Sequence, residues 1–95
     1  MIKVSNFYNK NQFLIEDDEK LIFQSYDSTV AILENGQLIL GKNWDYSNTT
    51  LRHLYKFLED YYYTQPIYEG LHTNNKKQAI QQLIDIGYIK YDENL

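Results

Sequence analysis

Glu16-Asp17-Asp18-Glu19 is the densest run of ionisable groups in a chain of 95 residues. A hard cation wants several carboxylate oxygens together. A calcium loop also spaces its acids at alternate positions, turns on a glycine and closes with a distant bidentate glutamate, and none of these follows the run. Four adjacent acids suit a solvated connection between two strands. His53 and His72 lie too far apart in sequence for an HxxxH or HExxH zinc pair on one helix. Gly36, Gly41, Gly70 and Gly87 form no phosphate-cradling run, and Ser5, Ser25, Ser28 and Ser47 lack the flanking glycines of a nucleophile elbow. The absence of cysteine removes thiolate chemistry, disulfides and sulfur-ligated zinc. Asp45 with His53 is the acid–base pair left for a fold to assemble, and so short a chain rarely encloses a pocket that excludes water. These types and spacings predict no catalytic residue, no metal and no cofactor. The protein is expected to act by presenting a surface, not as an enzyme.

The surface on offer is acidic and aromatic. Nine Lys and Arg against thirteen Asp and Glu give a net charge of -4, which disfavours loose attraction to nucleic-acid phosphates and favours a basic partner. Ten tyrosines are present, eight of them at or after Tyr46. Low-GC codon usage enriches tyrosine as well, but tyrosine also joins apolar area to a polar tip, a combination common at interfaces. The candidate protein-binding residues are therefore the acids Glu16, Asp17, Asp18, Glu19, Glu59 and Asp60 and the aromatics Trp44, Tyr46, Tyr62 and Tyr63.

The elements that must position these residues read as one α+β domain over residues 1–95. Short strands are expected at Ile2–Val4, Gln12–Ile15, Leu21–Tyr26, Thr29–Leu33 and Leu38–Leu40. The last four pair as two hairpins, which gives an antiparallel meander of about four strands after the short Ile2–Val4 run. Asn35-Gly36 between two apolar runs accepts the positive φ angles of a type I′ hairpin turn, and alternation puts Val30 and Ile32 on one face. Ser47, Asn48, Thr49 and Thr50 offer N-caps to a helix with the stripe Leu51, Leu54, Tyr55, Leu58, Tyr61 and Tyr62, which Pro66 stops. A loop of about eight residues follows. Thr73 or Asn74 then caps a second helix buried through Ala79, Ile80, Leu83 and Ile84, Gly87 ends it, and Tyr88–Tyr91 forms a short terminal strand. Trp44 or Tyr46 is placed to pack back on the first helical turn as a hydrophobic staple. No run of 18 apolar residues crosses a bilayer and the start lacks a secretory stretch, so a cytoplasmic protein without membrane contact is expected.

Trp44-Asp45-Tyr46-Ser47-x-Thr49-Thr50, leading into Leu54-Tyr55-x-Phe57-Leu58 after a β-rich start, resembles small uncharacterised proteins of phages, plasmids and integrative elements of low-GC Gram-positive bacteria. The likeness covers about residues 20–63. It implies a context: short acidic proteins of such elements often block host defences by binding a nuclease, either mimicking DNA charge or filling a substrate or guide channel, as anti-CRISPR and anti-restriction proteins do. The implied partner is a host nuclease or its complex, met in the host cytoplasm.

Residues 74–92 resemble instead the helix, glycine stop and first wing strand of a winged-helix DNA-binding domain. That likeness presents Lys76, Lys77, Gln78, Gln81 and Gln82 to a major groove. Two lysines are few for that task, and residues 64–73 are long for the turn of such a motif. A phage structural or assembly subunit, forming a homodimer or larger homo-oligomer through exposed tyrosines, is the third expectation.

Overall fold

The computed structural model describes residues 2–95. Five strands, β1 (Ile2–Asn6), β2 (Gln12–Asp17), β3 (Lys20–Ser25), β4 (Ser28–Glu34) and β5 (Gln37–Gly41), form an antiparallel meander. Three helices follow, α1 (Asn48–Tyr61), α2 (Gln65–Leu71) and α3 (Lys76–Asp85). The chain then returns as β6 (Lys90–Asp92), which pairs parallel to β5 and completes a six-stranded sheet in sequence order. The α+β class holds. Among the described residues the meander has five strands where about four were expected, the expected terminal strand joins it as the sixth, and there are three helices where two were expected.

Turn chemistry explains the meander. Asn35 and Gly36 take φ angles of 53° and 74°, the positive pair that matches a hairpin's twist. Asp18 (φ 53°) and Tyr26 (φ 56°) make the β2–β3 and β3–β4 turns without a glycine. In β4 the register shifts opposite Phe23 and Gln24, and Val30 is the extra residue between Thr29 and Ala31. Such a bulge resets the alternation downstream of it. Val30 and Ala31 are both buried, while Ile32 falls on the opposite face from Val30, correcting the shared face that simple alternation predicts.

One face of the sheet carries the core. Leu14, Phe23, Ala31, Leu38 and Leu40 meet α1 through Leu54, Phe57 and Leu58, all within one buried cluster. Phe57 stacks on Phe23 with ring centroids 5.6 Å apart, and Phe7 closes edge-on against both, at 5.7 Å from Phe23 and 6.3 Å from Phe57. The buried stripe of α1 is Thr50, His53, Leu54, Phe57 and Leu58. It is rotated from the expected stripe, leaving Leu51, Tyr55 and Tyr62 half-buried at its margin and Tyr61 44% exposed. The tyrosines made the outer rim look apolar, while Phe57 marks its true centre.

Ser47 caps α1, its side-chain oxygen accepting from the Thr50 backbone N–H at 3.1 Å. The helix ends at Tyr61, before the proline. Pro66 sits in the first turn of α2, where its missing N–H has no intrahelical partner to lose. The predicted loop is thus a helix. The cap of α3 is Asn75, accepting from Gln78 N–H at 3.1 Å, and not Thr73 or Asn74. Gly87 (φ 84°) ends α3 in the left-handed conformation. Among the described residues no helix is long and apolar enough to cross a membrane.

Candidate functional site

α1 has a depression at each end. At its C-terminal end, Tyr61 and Tyr62 face the β2–β3 turn across a groove of about 580 Å³ that Glu16, Asp18 and Glu19 also line. The turn supplies these acids because two strands of matched length end there, and alternation divides them. Glu16 lies opposite Leu21 on the helix-covered side, whereas Asp17, opposite Ile2 and Lys20, belongs to the other face. Lys3 approaches Glu16 at 4.0 Å and Lys20 approaches Glu34 at 4.0 Å. Both pairs are solvent-exposed and worth about 1 kcal/mol or less, so they leave the turn's acidic character in place.

Glu59 and Asp60 do not line this groove. Glu59 takes Lys56 at 3.5 Å, and Asp60 accepts a hydrogen bond from the Tyr8 hydroxyl at 2.8 Å. That bond, which needs the phenol protonated, holds Tyr8 above its ordinary pKa. Burial is the main cause that raises Tyr62, and the neighbouring Tyr88 hydroxyl adds to it. Tyr63 turns away to an exposed aromatic chain, edge-on to Tyr68 at 5.5 Å, with Tyr68 stacked on His72 at 4.2 Å. Of the six expected acids, the fold brings three together. Of the expected aromatics, Tyr62 joins them, along with Tyr61, whose place in the apolar stripe hid it.

Trp44 is 3% exposed and part of the core, so it is corrected from a contact residue to a structural one. Tyr46 is 79% exposed and does not fold back on the helix as a staple. It borders the second depression, a cleft of about 520 Å³ at the N-terminal end of α1, with Tyr26, Ser25, Ser28, Ser47 and Thr50. Ser25 and Thr50 hydroxyls lie 3.3 Å apart. Beside them on the sheet is Gln12, opposite Ser25, fully buried and with no partner for either amide atom. Reading Ser25 as part of a strand and Ser47 to Thr50 as caps concealed this hydroxyl-rich cleft.

Asp45 and His53 form no pair: Asp45 meets Lys77 at 3.6 Å, and His53 Nδ1 lies 2.8 Å from the Thr49 carbonyl, which accepts its proton. Among the described residues no group of three His, Cys, Asp or Glu side chains converges as a metal site. Lys76, Lys77, Gln78 and Gln81 share the exposed side of α3, but most of their donors have neighbours. Lys76 sits over the Tyr55 ring at 5.5 Å, and Gln81 donates to Asp85 at 3.0 Å. The connection before α3 is corrected. With α2 in place, only residues 72–75 separate two helices, and Gly70 lets them close up, a β-carbon there meeting that of Ala79 at 3.3 Å. β6 pairs with β5 in parallel, unlike a wing strand, which turns back on itself.

Residues 1–81 match the model of a family of unknown function, DUF8033. The chain belongs to this family. No curated protein and no solved structure matches it. The DUF8033 span runs from β1 into α3 and so contains both depressions, while the end of α3 and all of β6 lie beyond it.

Proposed function

We propose that the protein is a non-enzymatic binding protein of a mobile genetic element. It inhibits a host nucleic-acid-handling defence enzyme, of the anti-CRISPR or anti-restriction type, from within the host cytoplasm. One observation supports this above the rest: Glu16 near the end of β2 and Asp18 and Glu19 of the turn that follows share a groove with Tyr61 and Tyr62. Carboxylates presented to the basic channel of a nuclease accelerate encounter and select the partner. Tyrosines beside them supply contact area with few rotatable bonds and a polar tip. A net charge of -4 gives the whole molecule the sign that such a channel attracts.

The test is phage challenge of cells that carry a restriction or CRISPR interference system, with and without the protein. Plaque counts are expected to rise when it is present. The double variant Glu16→Lys, Glu19→Lys, folded as judged by circular dichroism, is expected to lose the protection. Equal protection by the charge-reversed variant, or none from the natural chain across a panel of such systems, sinks the proposal.

The short turn between α2 and α3 favours a second reading, DNA binding through α3 as in helix-turn-helix proteins. Affinity for bare duplex that falls steeply with salt and disappears in Lys76→Glu, Lys77→Glu supports that reading against the inhibitor.

A further inference from the structure

We propose that the outer edge of β1 is a homodimer interface, on which β1 of a second copy pairs antiparallel about Val4. The inference stands apart from the inhibitor reading. β1 ends the strand order, with β2 as its neighbour. The Phe7 N–H donates to the Gln12 carbonyl at 2.8 Å, and this fixes the ladder's alternation. Residues 3 and 5 direct their N–H and C=O groups to β2, so Ile2, Val4 and Asn6 direct theirs outward.

One charge, Lys3, is the only guard this edge carries among the described residues. All five residues are exposed, so no helix overhangs it, and the strand has neither proline nor bulge. Its single charge, Lys3, leans inward to Glu16. On the open face of the sheet Ile2 is 64% and Val4 59% exposed. Val4 is the first member of a row of directly opposed aliphatics, Val4, Ile15, Ile22, Ile32 and Ile39, that crosses five strands.

The sequence IKVSN selects a twofold register and so a second copy as occupant. Centred on Val4, the pairing sets Val4 against Val4 and each Ile2 against the other copy's Asn6. Every outward backbone group is then used, as three pairs exchanging two hydrogen bonds each. Lys3 faces Ser5. Centring on Lys3 opposes two like charges, and centring on Ser5 leaves Ile2 without a partner in β1. The Val4 register closes as a twofold dimer, joins the two aliphatic rows end to end, and merges two six-stranded sheets with both helical layers on one side.

The test is sedimentation velocity over a concentration series, combined with cysteine trapping. The natural chain is expected to shift from one to two chain masses as concentration rises. Val4→Lys, which opposes two ammonium groups on the twofold, is expected to remain at one. The chain has no cysteine of its own. Val4→Cys is therefore expected to give a disulfide-linked dimer on mild oxidation, while Ile2→Cys, displaced along the strand from its own counterpart, is not. A natural chain that stays monomeric at its highest soluble concentration overturns the proposal, as does a dimer that Val4→Lys leaves intact. Trapping through Ile2→Cys but not Val4→Cys overturns the register.

Discussion

On the helix-covered face of the sheet Leu14, Phe23, Ala31, Leu38 and Leu40 are buried, whereas on the open face Ile15, Ile22, Ile32 and Ile39 stop at half-burial and Val4 stays largely in solvent. Both faces are apolar, so hydrophobicity alone does not say which one the helices cover. The balance of aromatics decides it. Three of the four phenylalanines, Phe23 of the sheet, Phe7 of the first loop and Phe57 of α1, converge on one side, while Phe13 alone lies half-buried on the open face, and a ring buries far more area than an isoleucine can against its own sheet. The open face retains only the lateral cover of neighbouring strands. That makes it a place where association gains most, and it makes the covered face the seat of stability.

The sharpest test of this asymmetry is Phe57→Ala. Removing a fully buried ring that packs against three others is expected to cost about 3–5 kcal/mol, transfer and cavity together. Urea unfolding at neutral pH measures it, and a cost near 1 kcal/mol breaks the distinction between the faces.

Gln12 probes the covered face from the opposite direction. Its amide is wholly buried with neither atom bonded, a state that costs about 1–3 kcal/mol of desolvation. Gln12→Leu, similar in size and apolar, is expected to stabilise the fold by about 1–2 kcal/mol on the same scale. Loss of stability instead would mean that the amide is satisfied in solution, for example by water entering from the neighbouring hydroxyl cleft. Crystals of the natural protein would show that water.

On the open face Ile22→Thr keeps the β-branched shape and strand propensity while exchanging a half-buried methyl-rich surface for a hydroxyl. The expected loss is under about 1 kcal/mol for the monomer. The same change is expected to leave the dimer intact, since Ile22 lies two strands from the proposed seam. Unfolding and sedimentation of this one variant therefore separate what the row does for the fold from what Val4 does for association.

The local chemistry of this molecule was legible and its long-range geometry was not. Asn35-Gly36, the Ser47 cap and the Gly87 stop announce themselves because each is a backbone requirement that a few residue types meet. The bulge at Val30 leaves no such mark, since any residue is accepted there and only pairing with β3 reveals it. Pro66 supports two opposite readings, the stop of one helix or the first turn of the next, and the short gap from Tyr61 decided between them. Within the candidate site, the acid run was plain, but its division between two faces follows from strand register. Trp44 offered no way to tell an exposed anchor from a core residue before its neighbours were known. Tyr61 and Tyr62 met the acids because α1 crosses the sheet toward the β2–β3 turn, a relation between elements far apart in sequence.

The smallest effect concerns the loop that joins β1 to the covered side. Phe7 enters the core there while Tyr8 stays outside and donates to Asp60, tying the loop to α1. Because the hydrogen bond raises the Tyr8 pKa above 10.0 in the folded chain, the folded state holds this proton more tightly than the unfolded state. The bond's contribution is therefore complete below pH 10 and fades as pH rises through the folded value. Tyr8→Phe removes the donor without removing the ring. A slightly lower urea midpoint than the natural chain is expected at neutral pH, with the gap closing above pH 10. Tyr55 and Tyr62, raised chiefly by burial, destabilise both chains in that alkaline range and so cancel in the difference. A gap that stays constant through that range would mean that the hydroxyl stabilises the loop by some contact other than a titrating bond to Asp60, and the tie between the loop and α1 would lose its basis.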